Sequence, residues 1–180
     1  LNHHLNSDHT TMELVLEEVQ TYLRGQVELL SNPVPFRDFV ARVRLNANPE
    51  AEKAYFSERL ADIDTPTAPF DLLDVHGDGV EVQEKRVVLD DDVAQALRHQ
   101  AQRLGLSTAS LFHLAWGMVL RATTGRDDVV FGTVLFGRMD AGDGADRALG
   151  MFLNSLPLRL TLGKQSVEEA LQQTHGYLAE

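Results

Sequence analysis

A chain of 180 residues with 43% apolar and 24% charged residues has the make-up of a globular protein. It is long enough for one large domain or two small lobes. The formal net charge of −11 argues against non-specific nucleic-acid binding, which needs a cationic surface, and the absence of cysteine excludes disulfides and thiolate zinc sites. No apolar run has the length of a membrane span and no signal-peptide pattern is visible, so the expected compartment is the cytoplasm.

The chain opens on Leu1-Asn2-His3-His4-Leu5-Asn6-Ser7-Asp8-His9, without an initiator methionine, which predicts a segment cut from something longer. Thr10 and Glu13 fit a capping box, and Leu14, Val15, Val19, Tyr22 and Leu23 form one apolar helical face ending near Gly25. Asn32-Pro33-Val34-Pro35 breaks the chain. Residues 36–43 fit either a short helix or an extended segment. A helix is expected from Asn48-Pro49 through Leu60, and residues 64–69, with two prolines, read as a linker.

Residues 80–89 alternate as a half-exposed strand should. Residues 90–92 cap a helix running to Leu104 and ending at Gly105. Ser107 or Thr108 caps the next helix, whose body from 111 to 120 is apolar nearly all round and is therefore expected to be buried. Residues 128–135 read as a buried strand and 139–150 as a loop rich in glycine and aspartate. Residues 151–162 read as a second strand, which Pro157 demotes to an edge or a bulge. Ser166 and Glu169 form a capping box for a last helix. The order of elements is that of an α/β or α+β protein.

His3-His4-x-x-x-Asp8 is the constellation with chemical content. A histidine with an ordinary pKa near 6.5 accepts a proton at cytoplasmic pH, and a nearby carboxylate fixes its tautomer or braces its loop. A helix starting just downstream aims free N–H groups at the same place. The same residues also fit a surface histidine pair beside a helix-capping aspartate. A metal reading is weaker, because adjacent histidines on a strand face opposite sides and His4 and His9 lack a zinc spacing. His113 reads as a satisfied core residue, and His76, His99 and His175 as solvent-facing. Asp140, Asp143 and Asp146 lack the spacing and terminal glutamate of a calcium loop.

Four segments together resemble a known family. His3-His4-Leu5-Asn6-Ser7-Asp8 resembles the HHxxxDG core of nonribosomal peptide synthetase condensation domains. Pro35-Phe36-Arg37-Asp38-Phe39 is similar to the degenerate tyrosine-aspartate-tyrosine stretch downstream of it. The run from Asp127 through Val130-Phe131-Gly132-Thr133 to Phe136-Gly137-Arg138 resembles the family's DDVVFGTVVSGR segment. Gly150-Met151-Phe152-Leu153-Asn154-Ser155-Leu156-Pro157-Leu158-Arg159 resembles its GMFVNTLPLR segment. The first motif is shared with related acyltransferases; the ordered set is far more specific and spans essentially the whole chain.

The resemblance implies a two-lobed fold of chloramphenicol-acetyltransferase type, present here only in part. Residues 1–32 would be the end of the N-terminal lobe with the motif, 33–78 the inter-lobe helices and linker, and 79–180 the first part of the C-terminal lobe. Residues 139–149 would be the floor loop beneath a reaction tunnel. It also implies amide formation between two carrier-bound substrates on phosphopantetheine arms, with no directly bound cofactor or metal. The implied partners are the upstream donor carrier, the downstream acceptor carrier and an adjacent adenylation domain.

By match to the motif, His4 is placed at the reacting amine. His3 is structural, Asp8 is a brace held by an arginine for which Arg138 is the candidate, and Asn154 lies near the tunnel. Two residues depart from the family pattern: His9 stands where glycine is usual, and Phe136 where a small serine is usual. Both put ordinary activity in question and leave open a non-catalytic recruitment domain. The sister epimerisation domain and a freestanding acyltransferase are the other enzyme readings. The 180 residues alone are expected to be inactive.

Overall fold

The computed structural model describes residues 3, 5–74, 80, 82–138 and 144–179. Within them lie six α-helices and two strands: α1 His9–Leu23, α2 Phe36–Asn46, α3 Pro49–Leu60, α4 Asp91–Leu104, α5 Thr108–Thr124, β1 Asp128–Phe136, β2 Leu153–Thr161 and α6 Val167–Ala179. The chain divides into two compact units. One comprises Leu1–Glu58 with Gly132–Leu156, the other Arg59–Phe131 with Pro157–Glu180.

Local chemistry explains most of the boundaries. Ser107 caps α5 by accepting from Ser110 N–H, and Gly105 and Gly125 end α4 and α5 in the left-handed conformation that glycine adopts without strain. Ser166 and Glu169 form the reciprocal box that opens α6: each side chain accepts from the other's backbone N–H, at 3.2 and 2.7 Å. At α1 the expectation of Thr10 as N-cap is corrected. The cap is Asp8, two residues earlier, whose carboxylate accepts from Thr11 N–H. Residues 36–43, ambiguous in sequence, are helical because Phe36 and Phe39 fall on the same inward stripe.

β1 and β2 form a two-stranded sheet. Gly137 N–H donates to the Phe152 carbonyl at one end and Leu162 N–H to the Asp127 carbonyl at the other. The pair is therefore antiparallel, and the bonded positions are equally far apart on both strands, so no bulge intervenes. Pro157 lies an odd number of steps from both Phe152 and Leu162. Its missing N–H would have pointed away from β1, so the ladder loses nothing. The expectation that β1 is wholly buried is corrected: Val129 and Thr133 are buried, whereas Val134 and Phe136 on the alternate face are exposed.

Two further expectations fail for a common reason. Residues 82–90 form no regular element, because a strand exists only through a ladder partner and sheet pairing among the described residues is confined to β1 and β2. In α5 only the stripe Ser110, Leu114, Gly117 and Leu120 is buried; Phe112, Trp116 and Val119 are exposed. An all-round apolar helix needs neighbours on every side, and the buried cluster touches α5 on one.

In the second unit that cluster joins Leu114 and Leu120 of α5 to Val129, Leu158 and Leu160 of the sheet, and to Leu162, Ala170 and Leu171. The linker is pinned to it by polar contacts. Arg159 is bidentate to both Asp62 and Asp128, at 2.6–3.0 Å, and its guanidinium holds the exposed Asp62 carboxyl below the usual range. Thr67 Oγ1 accepts from Val130 N–H at 2.8 Å, satisfying an outward-facing strand group.

At Gly117 the helix lies close against Leu160 and Leu162: an added Cβ would lie 2.8 Å from Leu160 Cδ1 and 3.3 Å from Leu162 Cδ1. Gly117→Leu should therefore destabilise the protein by about 1–3 kcal/mol through overpacking. Equilibrium urea unfolding checks this; an unchanged midpoint would contradict the packing.

Candidate active site

The first unit contains a polar centre built from residues far apart in sequence. Asp8, whose side chain is 3% exposed, pairs with Arg138 Nη2 at 2.8 Å. The same oxygen, Oδ1, accepts from Thr11 N–H at 2.8 Å, and Oδ2 accepts from Phe152 N–H at 3.3 Å. Asp8 thus caps α1, neutralises Arg138 and receives the backbone N–H of Phe152.

Arg138 directs its planar fork to four acceptors. Nη1 donates to the carbonyls of Ala145 and Ala148, at 3.0 and 2.6 Å, and Nη2 donates to Asp8 and to Thr11 Oγ1. This geometry needs a guanidinium; an ammonium has no planar fork. The guanidinium carbon also lies 4.1 Å from the centroid of the Phe152 ring, a cation–π contact shielded from water. Ala145 opens a short 3₁₀ turn, Ala145–Arg147, and Ala148 follows it, so Arg138 holds the described end of the loop that follows it.

Aromatic packing supports this centre. Phe152 is 2% exposed and meets Phe36 edge-on at 5.0 Å and Phe39 at 4.7 Å. Each such pair contributes about 0.5–1.5 kcal/mol beyond area burial. Gly150 completes the fit: any Cβ there would fall 2.2 Å from the Phe36 ring, so no other residue allows this approach. Three of the four sequence segments singled out by motif therefore meet at one carboxylate, and the fourth packs on the Phe152 ring.

The remaining candidates fall as follows. His4 lies outside the described residues. His3 is exposed; its Nδ1 accepts from Leu5 N–H at 3.1 Å and its carbonyl from Asn6 N–H. His9 is the first residue of α1, has no positive φ, and its 88%-exposed side chain pairs with Glu13 at 3.2 Å. A histidine is thus accommodated without backbone strain where the family has glycine. Asn154 is exposed on β2, its Oδ1 accepting from Ser155 N–H. Phe136 is 62% exposed and absent from the aromatic cluster.

Sequence reading missed Thr11, Phe152 and the carbonyls of Ala145 and Ala148, none of which carries a titratable group that would draw attention. His175, expected at the surface, is half-buried with Nδ1 3.0 Å from Ser110 Oγ. His113 stacks on Phe131 and its Nδ1 lies 2.8 Å from the Ala109 carbonyl.

Comparison with known proteins follows the same lines. The family profile described as Condensation domain matches residues 1–178. Malpibaldin synthetase of Mortierella alpina is 47% identical over 179 residues, which cover 99% of this chain and 3% of that protein. In structure, the first condensation domain of the CDA synthetase superposes with a TM-score of 0.76 at 23% identity, over 98% of this chain and 40% of that one. The epimerization domain from the third module of tyrocidine synthetase B superposes with a TM-score of 0.77 at 20% identity, over 98% and 43%. The chain is a mixed α and β protein with the chloramphenicol-acetyltransferase-like fold of these domains. It belongs to the condensation domains of nonribosomal peptide synthetases and spans well under half of the solved domains it matches.

Burial pushes the Asp8 carboxyl upward, and the hydrogen bonds from Arg138 and Thr11 outweigh it, bringing it from 3.8 to about 2. A depressed carboxylate stabilises the fold above its unfolded pKa. That contribution, about 2 kcal/mol, is lost as pH falls from 3.8 through 2. Urea unfolding at a series of pH values should show this loss in the wild type. Asp8→Asn should flatten it by about that amount, while costing about 3–5 kcal/mol at pH 7 because Arg138 is left buried without a counter-charge. Equal acid slopes in the two proteins would contradict the assignment.

Proposed function

We propose that this chain supplies the acceptor-side chemistry of amide formation within a larger synthetase. The α-amine of an aminoacyl group on a downstream carrier attacks the thioester carbonyl of a peptidyl or acyl group on an upstream carrier. A C–N bond forms, the C–S bond breaks, and the donor phosphopantetheine leaves as a free thiol. The amine loses a proton during the exchange. An adjacent adenylation domain would load the acceptor carrier, and the whole assembly would work in the cytoplasm.

The observation that supports this reading is the meeting of three motif segments at the Asp8–Arg138 pair, with the fourth packed on Phe152 through Phe36 and Phe39. His4, four residues before Asp8, is assigned to the reacting amine, as the group that accepts its proton or orients it by hydrogen bonding. Asp8 is assigned as brace: a carboxylate already saturated by Arg138, Thr11 and Phe152 is a poor base and a good anchor. His3 is assigned a structural role on its backbone and ring contacts. A thioester is already activated, so proximity and orientation can carry most of the rate, with histidine adding a smaller factor. Asn154, exposed on β2, is assigned to the tunnel side.

The epimerisation reading draws on the equal likeness in fold to an epimerization domain. The products separate the two: a new amide on the acceptor carrier, or an inverted α-carbon with no new amide.

In the intact parent protein with both carriers loaded, His4→Ala should lower amide formation about 100-fold or more while the domain stays folded. Mass spectrometry of the carrier-bound product reads this, and wild-type product levels would remove His4 from the chemistry. His9→Gly should leave turnover within about threefold of wild type, because its side chain is solvated and its backbone unstrained. A gain of tenfold or more would mean that the histidine obstructs the site.

A further inference from the structure

We infer that Thr11 is a positioning residue of this site, acting through Asp8 and Arg138. The inference rests on the reading of His4 as the group at the reacting amine. Thr11 is 5% exposed and sits in the first turn of α1. Its hydroxyl has one hydrogen to give and two lone pairs to receive, and all three are used. Oγ1 donates to the Gly150 carbonyl at 2.8 Å and accepts from Gly150 N–H at 3.0 Å and from Arg138 Nη2 at 3.0 Å. Its own N–H donates to Asp8 Oδ1 at 2.8 Å.

One side chain thereby clips the start of α1 to both polar groups of Gly150, the residue that must lie bare against Phe36. It also supplies the second acceptor of the nitrogen that pairs with Asp8. The motif loop runs directly into α1, so the position of that helix start sets where the loop ends. Removing the hydroxyl leaves three buried groups short of a partner, among them the guanidinium nitrogen that holds the carboxylate. Helix capping alone would not require this: Asp8 caps α1 through Thr11 N–H, which any residue but proline supplies.

The test uses the intact parent protein with loaded carriers, assayed well below the melting transition of every variant. Thr11→Val should lower kcat for amide formation on the order of 100-fold, with KM for the aminoacyl carrier within about threefold. Thr11→Ser, which keeps the hydroxyl, should restore kcat to within about threefold of wild type. Wild-type kcat in a folded Thr11→Val protein would overturn the inference. If Thr11→Val does not fold, Thr11→Ser decides alone: a serine variant that melts like wild type yet has lost turnover overturns it, and one with near-wild-type turnover supports it. His4→Ala in the same assay keeps the two readings apart. An active His4→Ala protein sinks the underlying function, whereas an inactive one beside a fully active Thr11→Val sinks only the role of Thr11.

Discussion

The buried ion pair between Asp8 and Arg138 is the constraint on which the first unit depends. Two charges removed from water are costly, and the pair is tolerable only because nearly every remaining hydrogen-bonding position is filled. Thr11, Ala145, Ala148 and Phe152 each supply a partner, so the pair dictates where α1, the 145–148 turn and the start of β2 must lie. Such an arrangement adds little net stability over an apolar equivalent. It does specify one geometry, since any shift exposes an unpaired charge.

Phe152 joins this polar centre to the apolar one. Its backbone N–H serves Asp8, one ring face receives Arg138, and its ring also packs on Phe36 and Phe39. The aromatic cluster keeps water from the guanidinium, and the guanidinium keeps the rings in register. In the second unit Arg159 plays a different part. Its carboxylate partners, Asp62 and Asp128, are more exposed than Asp8, and it tethers the segment after α3 to the strand pair.

Local features were legible in the sequence wherever chemistry acts over a few residues. Ser107, Gly105 and the Ser166–Glu169 box mark helix ends at the residues where the structure has them. Burial was legible only in part. The apolar circumference of α5 and the alternation of residues 80–89 state what could be buried, and the available neighbours decide what is. The cap at Asp8 was misread because Thr10 and Glu13 form a local pattern that a buried aspartate overrides. At the candidate site, motif spacing drew attention to Asp8 and Arg138. It was silent on Thr11 and on two main-chain carbonyls, whose importance arises only from three-dimensional proximity.

The separation of the partners along the chain has a consequence for biosynthesis. Arg138 follows Asp8 by 130 residues, and Phe152 follows it by 144. A ribosome adding 5–20 residues per second needs roughly 7–25 s to cover that interval. Throughout it, α1 can form with its cap, but its aspartate faces solvent with no cation to meet. Closure of so long a loop comes late in folding. The Asp8 segment is therefore made well before its partners and is among the last parts of this chain to be set in place.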